Sequence, residues 1–343
     1  MPISARIRTA LMNIALGKTA LPQEFTLGMP EPQTEISVWL RGKGVNRDVT
    51  NHVSTACAEP LRICIGFDEG AGSSAAERSD LTLVFAERDG LKRVLGTIGL
   101  KYTQTLSSAQ SEFLFFAPRS SNNLCLPKPL IGLHYLLHAY RHWRRNDSQG
   151  IRMTSLEQRA AIVTFIRPHP IVLVSVGDRK DGNIFPMNLC GDLGNGYFGF
   201  ALRTARVAGT LVERAGRAVI SSLPEKEGYL AYRMARNHTM ESIDWDELPF
   251  ATKMSKAFHM PVPEFAQRVK ELEMVTSIAV GSHRFFIARI VADEKLADGL
   301  GFCSIHGFYQ AWRLKQSESR DRDLKRSRAR DAFHKRERHV AKS

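Results

Sequence analysis

Residues 168–203 read PHPIVLVSVGDRKDGNIFPMNLCGDLGNGYFGFALR, and this stretch decides the fold. Three short strands can be read in it. Ile171, Leu173 and Ser175 alternate with Val172, Val174 and Val176, and nearly every one of them favours extended backbone, so the first strand is expected to be buried on both faces. Residues 178–182 supply turn chemistry, with Asp178, Asp181 and Gly182 tolerating a tight backbone and Arg179 and Lys180 keeping the tip in water. The returning strand at 183–191 contains Pro186, which has no N–H to give to a ladder. That places this strand at a sheet edge or breaks it with a bulge. Its free backbone donors predict a resting place for a flat, polar-rimmed ligand. The third strand ends at Leu202-Arg203.

The pattern continues downstream. After Arg203 and Arg206 come 211–220, LVERAGRAVI, read as a helix and a strand. Then follow Gly281-Ser282-His283 opening the apolar strand 284–290, and Gly307-Phe308-Tyr309. In this order the segments resemble the flavin reductase-like family of FMN-binding split barrels, over residues 160–313. The resemblance implies a mainly β fold with peripheral helices, its C-terminal part a split β-barrel of the Greek-key, FMN-binding type. It implies flavin contacts along Asn183, Ile184, Phe185, Pro186, Met187 and Asn188. It assigns the flavin phosphate to Arg203, Thr204, Arg206 and Thr210, and makes His283 the catalytic candidate beside flavin or nicotinamide. FMN is the implied cofactor, with FAD as the other flavin, and NADPH or NADH is the reductant. A homodimer is expected, and a partner monooxygenase is one possible electron acceptor. Two positions depart from the family pattern. Ser282 stands where an Asp is usual, and Ala208 where a phosphate-binding Ser or Thr is common, with Thr204 and Thr210 as the nearest replacements.

The residues themselves leave alternatives beside that reading. Arg203 and Arg206 could instead cap a strand end and pair with Asp192 or Glu213. His283, a single histidine before Phe285, Phe286 and Ile287, could be a satisfied structural residue. The segment 224–263 is an insertion carrying Arg233, Arg236 and His238 and then an acidic, aromatic turn. Trp245 or Phe250 could stack on a ligand ring there, or could anchor the loop. His259 adds little to either reading.

Composition bounds the rest. The chain has 343 residues, 43% hydrophobic and 24% charged, which suits an ordinary globular protein with room for two domains. No apolar run approaches the roughly 18–20 residues that a membrane helix requires. The segment 1–21 reads as an amphipathic surface helix rather than a secretory signal, because Asn13 interrupts its apolar part. Cys57, Cys64, Cys125, Cys190 and Cys303 are odd in number and scattered, without a Cys-x-x-Cys pair. They read as buried thiols in a reducing cytoplasm. The formal charge is +13, but the last thirty residues hold eleven Lys and Arg against five Asp and Glu, +6 of that total. This basic tail, 314–343, is expected to be a solvated or frayed segment, and nucleic acid is not the expected partner.

The first half, 1–150, reads as a β-rich domain of uncertain type, with strands near 35–40, 61–67, 81–86, 94–103 and 112–117 and a helix over 130–145. A degenerate second barrel is one reading of it, although no fixed-period repeat is visible. The polar residues 146–150 mark the expected boundary with the domain at 151–313. His134, His138 and His142 share one helix face, where they could chelate a metal or pack against a neighbouring surface. No metal is expected on balance, since a further ligand is not evident and Tyr135, Tyr140 and Trp143 point to packing. The chain has neither Gly-x-Gly-x-x-Gly nor a P-loop. A flavin site explains the lack of an acid–base constellation, since the isoalloxazine itself accepts the hydride. The resulting expectation is an NAD(P)H:flavin reductase passing electrons to free flavin, a partner monooxygenase or a small organic acceptor. An FMN-dependent enzyme with its own substrate is the alternative. A flavin-binding protein without turnover, its basic tail holding nucleic acid, is another.

Overall fold

A computed structural model describes residues 25–29, 34–72, 80–88, 92–108, 111–145 and 153–315. Its elements follow the order β1 (Phe25–Met29), β2 (Ile36–Gly42), β3 (Val45–Asp48), β4 (Val53–Ala58), β5 (Leu61–Asp68), β6 (Thr82–Glu87), β7 (Val94–Ser108) and β8 (Ser111–Asn123). Two helices follow, α1 (Lys128–Arg145) and α2 (Ser155–Thr164), and then β9 (His169–Pro170), β10 (Val172–Val176), β11 (Asn183–Met187), β12 (Cys190–Gly194) and β13 (Tyr197–Arg203). The chain continues through α3 (Val207–Ala215), β14 (Arg217–Ser222), α4 (Tyr229–Arg233), β15 (Thr252–Met254), β16 (Pro261–Pro263), β17 (Arg268–Val280), β18 (His283–Lys295), β19 (Gly301–Ile305) and α5 (Gly307–Leu314). The architecture is mainly β with peripheral helices. The stretch read as a linker at 146–150 and most of the basic tail lie outside the described residues.

Two seven-stranded antiparallel sheets dominate. The first runs β3-β2-β6-β7-β8-β5-β4 and the second β11-β10-β14-β17-β18-β13-β12. Numbering the strands of each sheet one to seven along the chain gives the same order for both, 2-1-5-6-7-4-3. Strand one pairs with five and four with seven, a Greek-key connection rather than a meander. Both sheets also place their longest hairpin, β7–β8 and β17–β18, at the same point of the order. The first half is therefore a second copy of the second half's topology, although their sequences share no visible repeat.

The two copies are packed into each other. Phe113 and Phe115 of β8 and Cys57 and Cys64 of β4 and β5 share one core with Leu193, Phe285 and Ile287 of the second sheet. Phe115 and Phe285 meet edge to face with centroids 5.6 Å apart. At Gly66 a side chain would collide with the backbone oxygen of Leu193, so the two sheets touch there backbone to backbone. Contacts at the hairpins come in matching pairs. The β17–β18 turn of the second sheet meets the β4–β5 turn of the first through Ser282 N–H donating to Glu59 O at 2.9 Å. The β7–β8 end of the first sheet meets the β12–β13 turn of the second through Asn195 Nδ2 donating to Ser111 Oγ at 3.1 Å. The pairing is thus reciprocal, as in a two-fold dimer built within one chain.

Chain ends tie the copies further. β1 pairs with β19, which also pairs with β9. Helix α2 starts with a capping box, in which Thr154 accepts from Glu157 N–H and Glu157 accepts from Thr154 N–H. It buries Ala160 and Val163 in the first sheet's core, together with Phe308, Tyr309 and Trp312 of α5. Arg313, 2% exposed, donates to both carboxylate oxygens of Glu35 at 2.9 and 2.7 Å, and Tyr309 Oη–H donates to the same carboxylate at 2.7 Å. A planar fork matched to a carboxylate in this way fixes the helix at one angle.

The decisive stretch folds as its pattern indicates. All five residues of β10 are buried. Val172, Val174 and Val176 enter the core of the second sheet, with Phe185, Phe200 and Leu211. Ile171 and Leu173 meet a different cluster formed by Leu223, Leu230, Trp245 and Phe302. The insertion 224–263 is therefore what buries the strand's second face. β11 lies at the sheet edge, and Pro186 pairs with Leu173 without a register shift, so the edge reading holds and the bulge does not.

Candidate functional site

Three segments converge at one end of the second sheet. They are residues 203–206 between β13 and α3, the turn 281–283 between β17 and β18, and the β4–β5 turn of the first half. Thr204 donates its N–H and its Oγ1–H to Ser282 O, at 3.1 and 3.2 Å. Gly281, at φ 56°, faces the first half so closely that an added Cβ would lie 2.5 Å from Pro60 and 2.7 Å from Glu59 O. Only glycine suits both that backbone and that gap.

His283 sits in the middle of this junction, 3% exposed. Its Nδ1 lies 2.8 Å from Ser282 Oγ and 3.3 Å from Cys57 Sγ, a residue of the first half. Burial, and then the charge of Arg203, push its pKa down to about 4. The ring is neutral at pH 7. It can orient a partner through a hydrogen bond but supplies no positive charge.

Arg203 and Arg206 are both exposed, with different surroundings. Arg203 pairs with Glu59 of the first half at 3.4 Å. Arg206 precedes the first turn of α3, whose start has no side-chain cap, and makes no ion pair among the described residues. Neither arginine takes the partners that the sequence offered: Asp192 pairs with Lys270 at 3.0 Å, and Glu213 with Arg284. Thr210 is exposed on α3, one turn beyond Arg206. Ala208 is fully buried under the same helix. The uncapped N–H groups and the unpaired guanidinium together favour an anion at this helix start.

The edge of β11 departs from expectation. Its free donors were to hold a flat ring, yet the segment 234–240 lies along it. Asn183 Nδ2 donates to Asn237 O at 2.9 Å and to Met240 O at 2.6 Å, and Asn237 Nδ2 donates back to Ile184 O at 2.7 Å. His238 Nε2 donates to Pro186 O at 2.7 Å, which fixes its tautomer. The carbonyls of Ile184 and Pro186 face outward, so the outward donors of this strand would be at 184, 186 and 188, and Pro186 has none. Asn183, Ile184, Phe185 and Met187 are buried, and only Pro186 and Asn188 are partly open. The insertion covers this edge because a strand with spare carbonyls needs partners once it is buried.

His238 then becomes part of the site. It stands at the wall formed by Phe185, ring centroids 5.0 Å apart, and burial followed by the nearby charge of Arg206 lowers its pKa although Pro186 O holds its proton. Trp245 answers the other question left by the insertion. It is 5% exposed and donates Nε1–H to Asp178 O at 3.1 Å, so it anchors the loop. Phe250 packs edge to face on Phe265, centroids 5.2 Å apart. Glu59, Cys57 and His238 were not read as site residues from sequence. The first two sit in a half without recognisable motifs, and only the folded chain brings Cys57 to His283 and Glu59 to Arg203 and Ser282.

Of the three spaced histidines, His134 meets Phe308 edge to face at 5.0 Å, while the side chains of His138 and His142 lie outside the described residues. All five cysteines are free and buried. Among the described residues no helix is long and apolar enough to cross a membrane.

No family model matches the chain, and no curated protein matches it. Solved structures do. An FMN-binding protein from Thermus thermophilus with bound 1-cyclohex-2-enone is 23% identical, with a TM-score of 0.34 over 37% of this chain and 71% of its own. The NADH:FAD oxidoreductase SgcE6 of Streptomyces globisporus C-1027 is 15% identical, TM-score 0.38, over 44% and 89%. BorF, the flavin reductase component of a bacterial two-component tryptophan halogenase, is 12% identical, TM-score 0.39, over 44% and 94%. The solved structures to which this chain is similar, over about two fifths of its length, are flavin reductases and FMN-binding proteins.

Proposed function

We propose that this chain is a flavin-dependent oxidoreductase, an NAD(P)H:flavin reductase with its flavin site on the second sheet. The observation that carries the reading is Arg206, unpaired and exposed at the uncapped start of α3, beside Arg203 and Thr204 and within the field of His238. In it the phosphate of FMN, or of FAD, rests on this helix start with Thr210 a turn beyond. Pro186, Met187 and Asn188 border the ring, with His238 beside them, its one N–H given to Pro186 O. His283, neutral and held by Ser282 and Cys57, is the contact to flavin or nicotinamide. It positions the reacting ring, and the flavin accepts the hydride.

The expected homodimer is replaced in this proposal by the pairing of two sheets within one chain, with Cys57 and Glu59 of the first half completing the site. Electrons leave to free flavin, a partner monooxygenase or a small organic acceptor. The five buried free thiols support a reducing cytoplasm as the compartment.

The test is the visible spectrum of the purified protein, supplied with FMN and then with anaerobic NADPH or NADH. Flavin bands that bleach with one nucleotide are expected and would name the donor. Failure to bind FMN at all overturns the proposal. The second reading, an FMN enzyme with its own small substrate, is favoured by the insertion folded over β11. Slow turnover with free flavin as acceptor, despite a bleachable bound flavin, would select it. A flavin that neither nucleotide bleaches would select a binding role.

A further inference from the structure

The reciprocal packing of the two sheets produces each junction twice, so the site built on 203–206 and 281–283 has a mate position. Strand register locates that position residue by residue. Arg203 ends the fourth strand of the second sheet opposite His283, and Asp68 ends the fourth strand of the first opposite Ser111. The same turn follows both strands. Arg206 N–H donates to Arg203 O at 3.1 Å, and Ala71 N–H donates to Asp68 O at 3.0 Å. One pair further in, Arg284 opposite Leu202 corresponds to Glu112 opposite Phe67. The crossing turns correspond too: Ala58 pairs with Leu61 as Gly194 pairs with Tyr197, which sets Glu59 against Asn195.

The backbone is repeated, but the chemistry is reversed. Arg203, Thr204 and Arg206 are matched by Asp68, Glu69 and Ala71, and His283 by Ser111. In the first position the crossing turn offers Glu59 to a cation, Arg203, at 3.4 Å. In the mate it offers an amide to an anion: Asn195 Nδ2 donates to Asp68 Oδ1 at 2.8 Å and to Ser111 Oγ at 3.1 Å. Glu112 Oε2 accepts Gly72 N–H at 2.7 Å, so a backbone donor of this turn is already held by a carboxylate. Arg47 lies over the Phe67 ring at 5.2 Å, on β3 rather than at the turn. Three carboxylates, at 68, 69 and 112, repel a phosphate where the arginines of the other position attract one. We propose that the internal two-fold is broken at the site. Only the position at Arg206 accepts a phosphate-bearing ligand, each chain carries one flavin, and the mate position is a fastener in which Asn195 bridges the halves. The count of one flavin rests on the flavin reading above, whereas the single anion position does not.

The experiment titrates FMN into the full chain at protein concentrations well above Kd, separating bound from free flavin by ultrafiltration. Saturation at one FMN per chain is expected. In R206E the entire isotherm should move to weaker binding, by at least about tenfold. Saturation at two per chain, or a half that keeps its affinity in R206E, overturns the proposal. A second measurement needs no flavin: crystals of the unaltered protein soaked in sodium tungstate, a phosphate analogue, should show anomalous density at Arg206 and none at Asp68. Tungstate at Asp68, at both positions or at neither overturns the single anion position. Tungstate at Arg206 without FMN binding in solution would overturn the flavin reading and leave the single anion position standing. The fastener is tested by N195A, which should lower Tm by roughly 2–4 °C and leave FMN saturation unaltered. An unchanged Tm overturns it.

Discussion

Arg203 shares its charge with Glu59, an exposed pair of the kind that contributes about 0–1 kcal/mol, whereas Arg206 makes no ion pair among the described residues. The two arginines should therefore differ as phosphate ligands. R206E is expected to weaken FMN binding about tenfold to a hundredfold, and R203Q by less, measured by titration of flavin fluorescence. A pH dependence also belongs at this scale. His169 and His283 are neutral in the fold, with pKa values near 4, and regain the ordinary value near 6.5 on unfolding. The unfolded chain thus binds more protons between those values, and stability rises with pH across that window. Their contribution is complete above about pH 6.5 and is lost as pH falls towards 4, on the order of 3 kcal/mol for each ring at most. Urea unfolding midpoints at pH 7 and pH 5 would show it. The drop between them should shrink in H283Q, and an unchanged drop would contradict the lowered pKa.

At the scale of elements, the insertion and the C-terminal helix act as fasteners. Trp245 fills the cluster that covers the second face of β10 and holds the turn at Asp178 through its indole N–H. W245A should cost about 3 kcal/mol or more of stability and loosen the segment along β11. Hydrogen exchange at 234–240 is the matching measurement, and unchanged protection there would contradict the anchor role. Glu35 pairs with the buried Arg313 at 2.7 Å. Removing one member of a buried pair leaves the other charge uncompensated, so E35A should destabilise by about 3–5 kcal/mol, read from the denaturant midpoint. β10 and β11 were legible in advance because period-two alternation and a mid-strand proline are local signals. The cover over β11 was not, since Asn237 and His238 lie some fifty residues away and carry no pattern that names their partner strand.

The whole molecule behaves as one body with two copies of a topology. Phe113 and Phe115 from one copy and Phe285 and Ile287 from the other are fully buried only because the copies meet. Each such side chain contributes about 1.5–3 kcal/mol on burial. Residues 151–343 expressed alone should therefore aggregate or associate, whereas the full chain should run as a monomer in size-exclusion chromatography with light scattering. A well-behaved monomeric second half, with flavin affinity intact, would show that the first half does not complete the site.

What the sequence by itself determined is the mainly β character and the course of the second sheet from residue 172 to 203. These depend on neighbours in the chain, where alternation, turn residues and proline act directly on the backbone. Only the tertiary structure decided that the first half repeats the Greek-key order, that Cys57 reaches His283 and that Glu59 reaches Ser282 and Arg203. Those are contacts between residues more than a hundred positions apart. Buried faces of two sheets require only apolar residues of suitable volume, so packing constrains the sequence too weakly to reveal which surfaces meet.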